Sequence, residues 1–181
     1  LANQSVAATG QFLLDLPLHK DPERAPEMTL VIGAEKGEAS LHRLLVPFTV
    51  PQPLYEWLGR SIEAGELSQA GFIYRGALTG DPAGRAIQLR ARVTGGQVAF
   101  DPQWPALRDA RGTLYLDDEA LLVSDLRGRL GEVAVTGAEV SLEHPAAGET
   151  AIRVHGHLAG DGRQARALLD QSPLRLLGGE E

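Results

Sequence analysis

The strongest constraint on this chain is an alternation of apolar and polar side chains with period two, broken by turn residues about every ten positions, the spacing of short antiparallel strands. Ile87, Leu89, Ala91 and Val93 share one side of an extended backbone, and Gln88, Arg90, Arg92 and Thr94 share the other. Such a strand is wet on one face only. The same pattern returns at Val98 and Phe100, Leu114 and Leu116, 121–124, Val133 and Val135, Val140 and Leu142, and Ile152, Val154 and Gly156. Gly95-Gly96, Asp117-Asp118, Gly131-Glu132, Gly148-Glu149 and Asp161-Gly162 separate these runs. Turns this short exclude βαβ crossovers and predict a meander. The pattern alone predicts a mainly β fold within the α+β class, a sandwich or barrel by default, with about three short helices.

Helices are expected over 38–45, 53–64 and 163–170. Pro53 suits the first helical position and Gly65 the residue after the last turn, with Leu54, Trp57, Leu58 and Ile62 as the buried stripe. Ala165, Leu168 and Leu169 form the stripe of the last helix. Strands over 6–16 and 27–32 repeat the grammar of the C-terminal part. That repetition divides the chain into a first unit, 1–50, and a second, 51–181. Leu1 in place of Met and the run Gly178-Gly179-Glu180-Glu181 lead us to expect a fragment of a longer protein.

Zero cysteines exclude disulfides, thiolate metal sites and cysteine nucleophiles. A net charge of −7 argues against a nucleic-acid partner. His155 and His157 would share one strand face, but no motif supplies a third metal ligand, and wet-face histidines are the commoner case. His19, His42 and His144 stand alone. No serine lies in a Gly-x-Ser-x-Gly setting. The glycine-rich stretches 80–84 and 128–131 lack the Lys-Ser or Lys-Thr of a phosphate loop and read as hairpin turns. The run Asp117, Asp118, Glu119 lacks the spaced ligands of a calcium loop. No catalytic residue, metal or cofactor is therefore expected. What stands out is the apolar strand face. A second sheet could cover it, or it could stay open to acyl chains, each buried CH₂ contributing about 0.8 kcal/mol.

Several strings carry a resemblance. Pro53-Leu54-Tyr55-Glu56-Trp57-Leu58, Gly71-Phe72-Ile73-Tyr74-Arg75-Gly76, Phe100-Asp101-Pro102-Gln103-Trp104-Pro105-Ala106-Leu107, Gly112-Thr113-Leu114-Tyr115-Leu116 and Leu168-Leu169-Asp170-Gln171-Ser172-Pro173-Leu174 resemble the YhdP family of AsmA-like envelope proteins. The likeness covers roughly residues 41–174. It implies a periplasmic segment of a long Gram-negative protein anchored in the inner membrane by an N-terminal helix that this chain lacks. It also implies a repeated, bent sheet whose apolar groove carries phospholipid between inner and outer membranes and so maintains the outer-membrane barrier. The expected partners are phospholipid acyl chains and neighbouring repeats.

Joined to the alternation, the resemblance implies a curved antiparallel sheet, a meander forming a groove, with a lipid-binding face made by Ile87, Leu89, Val93, Val98, Phe100, Leu114, Leu116, Val133, Val135, Ile152 and Val154. Pro105 is expected to hold Trp104 extended at a strand end. The competing expectation is a scaffold segment of the envelope that pairs its open sheet edges with another chain. An enzyme using His155 or His157 ranks third.

Overall fold

The computed structural model describes residues 7–19, 24–38, 56, 59–79, 84–118, 120–143 and 151–177. Eight strands follow one another in the sequence and in space: β1 (Ala7–Asp15), β2 (Glu27–Glu38), β3 (Ile62–Ala77), β4 (Ala86–Val98), β5 (Leu107–Asp117), β6 (Ala120–Leu130), β7 (Val133–Glu143) and β8 (Ala151–Ala159). All neighbours are antiparallel, giving one open, curved meander sheet. Helix α1 (Gly162–Asp170) and a 3-10 turn (Pro173–Leu177) follow β8. The expected mainly-β meander is the observed fold. The unit boundary near residue 50 lies outside the described residues.

The strands are longer than the alternation suggests because β-bulges interrupt it. Each of β3 to β7 has a residue with φ between 51 and 60 inside it: Gln69 (φ 51), Gly95 (φ 60), Asp109 (φ 52), Asp125 (φ 52) and Gly137 (φ 59). Pairing slips by one at each of these sites. The slip returns the apolar set to the same face. In β7, Val133 and Val135 are followed by Ala138 and Val140, and Val140 still lies opposite Val154. Without Gly137 the parity change would turn the second half of the strand over. Gly95-Gly96 is thus a bulge within β4 and not a turn. Likewise 128–130 belongs to β6, leaving only Gly131-Glu132 as the hairpin.

Bulges also raise local twist and bend the strand. Where the sheet bends, backbones crowd on the buried side. A Cβ on Gly128 would lie 2.8 Å from the Arg108 carbonyl oxygen, and one on Gly156 would lie 2.6 Å from the Ala138 Cβ. Small residues at these positions permit the curvature.

Two clusters form the core, both on one face. Leu89, Leu116 and Leu121 form the first, with Phe72, Leu114 and Leu142 packed around them. Leu107, Ala110, Leu130, Val133, Val135 and Ala138 form the second, together with Leu168 of α1 and the flanking Val98, Trp104 and Leu126. Helix α1 is started by a capping box: Gln164 N–H donates to Asp161 Oδ1 at 2.8 Å, and Asp161 N–H donates to Gln164 Oε1 at 2.9 Å. Of its expected stripe only Leu168 is buried; Ala165 and Leu169 stay exposed. Trp104 is half-buried and packs on this second cluster, its backbone N–H donating to the Asp101 carbonyl at 3.2 Å across the turn that precedes β5.

Of the other two expected helices, that over 38–45 lies almost wholly outside the described residues and that over 53–64 ends earlier than its spacing predicts. Glu38 is the last residue of β2, and 39–45 lies outside the described residues. Residues 56 and 59–61 are helical, but Ile62 to Ala64 open β3, where Ile62 pairs with Val98. Gly65, at φ 142, therefore sits in a strand among register shifts and not after a helix. Helical spacing of Leu54, Trp57, Leu58 and Ile62 could not reveal that pairing with β4 captures the last member.

Candidate functional site

The candidate site is the apolar face, and the register shows its continuity. One row of direct partners runs Gly10, Ile32, Phe72, Leu89, Leu116, Leu121 across β1 to β6. A second runs Ala91, Leu114, Val123, Val140, Val154 from β4 to β8. Neither row contains a charged residue. The face is closed at its centre and open at its ends. Leu89 is 8% exposed and Leu116 is 6%, whereas Phe12 on β1 is 74% exposed and Val154 on β8 is 64%.

The predicted residues divide along that gradient. Ile87, Leu89, Leu116, Val133 and Val135 are buried; Val93, Val98 and Leu114 are half-buried; Ile152 and Val154 are exposed. All ten share the face. Phe100 lies beyond the end of β4, outside the ladder, and its ring lies 6.3 Å from that of Trp104, which packs on the second cluster. Sequence reasoning missed Phe12, Leu14, Ile32, Phe72, Leu121 and Leu158, which the register puts on the same face. For Phe12 and Leu14 the signal was present as the alternation Gly10, Phe12, Leu14, obscured by Leu13 between them.

The outward face is polar but not uniformly so. A hollow of about 710 Å³ crosses β2 to β6, lined by Val31, Gly33, Gly71, Ile73, Gln88, Arg90, Tyr115, Asp117, Ala120 and Leu122, with Ile32, Phe72, Leu89, Leu116 and Leu121 between them. The next buried-face residues, such as Leu30, Ala91 and Leu114, do not line it. The hollow is therefore a trough on the outward side, between two rows of outward side chains. Arg90 lies over the Tyr115 ring at 5.7 Å. On β8, His155 and His157 are exposed on this side with ring centroids 6.1 Å apart. No group of three or more His, Asp or Glu side chains able to hold a metal occurs among the described residues.

The hairpin of β5 and β6 is tied to β4 by Asp118. Its Oδ1 accepts from Ile87 N–H at 2.7 Å and its own N–H donates to the Ile87 carbonyl at 2.7 Å. No helix of the described residues is long and apolar enough to cross a membrane.

An open antiparallel sheet with one uninterrupted apolar face, exposed at both edge strands, defines a protein with a surface for apolar contact. The chain belongs to the YhdP family: the family model described as YhdP protein matches residues 1–179. It matches no curated protein and no solved structure.

Proposed function

We propose that the apolar face holds phospholipid acyl chains and that the chain is a periplasmic segment of a longer, inner-membrane-anchored, AsmA-like protein. In this reading it helps move phospholipid between inner and outer membranes and so maintains the permeability barrier. Its task is binding and guidance, with no catalytic step. The observation that carries the reading is the apolar row running from strand to strand without a charge. An acyl chain needs no directional partner, only apolar surface, and gains about 0.8 kcal/mol for each CH₂ removed from water. Phe12 and Leu14 at one edge, and Ile152, Val154 and Leu158 at the other, supply surface that the folded sheet leaves available. The neighbouring repeats of the longer protein would continue the face beyond β1 and β8.

A photoreactive residue at Val154 in the full-length protein, irradiated in living bacteria, should give a phospholipid adduct, and the same residue at Arg166, exposed on α1 and outside both sheet faces, should not. Equal labelling of both positions, or of neither, contradicts the reading. A second reading is favoured by the edges: β1 and β8 each pair with one strand only in this sheet. Such edges accept an added strand from another chain. Lipid-free dimers joined through β1 or β8 would support that scaffold role instead.

A further inference from the structure

We propose that the outward face of the sheet docks on an anionic bilayer surface, with its arginines on lipid phosphates and its apolar trough in the headgroup region. The register places Arg108 directly opposite Arg129 and Arg111 directly opposite Arg127 on β5 and β6. Arg92, opposite Thr113 on β4, extends the patch toward the trough. All five are exposed, and none forms an ion pair among the described residues. Asp109 and Asp125 sit at the bulges between them and pair with none of them. Like charges placed directly across a ladder destabilise a sheet. In a chain of net charge −7 this concentration is not a by-product of a basic composition.

What the arginines face must therefore be anionic, and the neighbouring surface says what else it is. Val31, Ile73 and Leu122 expose aliphatic side chains in the trough that Arg90 also lines. A water-soluble polyanion offers nothing to those side chains. A bilayer surface offers both phosphates, which guanidinium forks match, and an interface that takes apolar groups. This docking does not depend on acyl chains occupying the opposite face.

The test is flotation of the 181-residue chain with phosphatidylcholine vesicles, with and without phosphatidylglycerol. Binding should require phosphatidylglycerol and weaken with salt. Arg111→Gln with Arg127→Gln should weaken it on the order of thirtyfold, from the attraction expected for two basic residues at an anionic surface. The same double variant should melt no lower than the parent, since it relieves a like-charge pair. Arg163→Gln with Arg166→Gln on α1, which changes the net charge equally, should leave binding unchanged. Binding that ignores phosphatidylglycerol, equal losses in the two double variants, or dimers through this face in place of vesicle binding would overturn the proposal.

Discussion

Replacing Gly128 by Ala should destabilise the protein, whereas replacing Gly71 by Ala should not, although both glycines lie inside central strands of the same sheet. At Gly128 the new methyl would lie 2.8 Å from the Arg108 carbonyl oxygen and 3.0 Å from Leu107 Cδ1, where ordinary contact begins at 3.4 Å. The shortfall against the carbonyl is 3.4 − 2.8 = 0.6 Å, and a ladder held on both sides by β5 and β7 cannot yield it cheaply. Overpacking of this kind costs about 1–3 kcal/mol. At roughly 2–4 °C per kcal/mol for a domain of this size, the melting midpoint should fall by roughly 2–12 °C. At Gly71 nothing lies within 4 Å and φ is ordinary, so Ala only reduces the freedom of the unfolded chain. That should stabilise by about 0.4–1 kcal/mol. Urea and thermal unfolding followed by circular dichroism measure both. A neutral Gly128→Ala, or an equal loss at Gly71, would refute the claim that crowding on the curved side governs this sheet.

Leu89→Ala should cost about 2–5 kcal/mol, because Leu89 sits in a buried cluster, while Val154→Ala on exposed β8 should change the urea midpoint little. Asp118→Ala should cost about 1–3 kcal/mol by leaving Ile87 N–H without its acceptor, and faster amide exchange at Ile87 should report it. Asp161→Ala should cost about 0.5–2 kcal/mol through loss of the α1 cap, read as lower helical signal and a lower midpoint.

The strand content, the meander order and α1 were legible because each rests on local chemistry: alternation, turn residues and the helical spacing around Leu168. The face was legible in pieces. Within 87–93 or 133–135 the parity is unambiguous, but across Gly95, Asp109, Asp125 and Gly137 it changes, and local reading makes two strands of one. The signal lies in the switch itself. Leu121 and Val123 occupy odd positions and Leu126 and Leu130 even ones, with Asp125 between them, a residue type that tolerates the left-handed backbone. What could not be read was which residues are closed and which are open. Leu89 and Val154 look alike in sequence, and only their places in the sheet, near its middle or on its edge, separate them. The opposed arginines were equally hidden, since Arg108 and Arg129 become neighbours only through the β5–β6 register.

The most direct test of the lipid-binding account is native mass spectrometry of the 181-residue chain purified gently from bacteria, with organic extraction of the same sample. The account predicts phospholipid retained in stoichiometric amount. A clean, lipid-free monomer would contradict it for this segment.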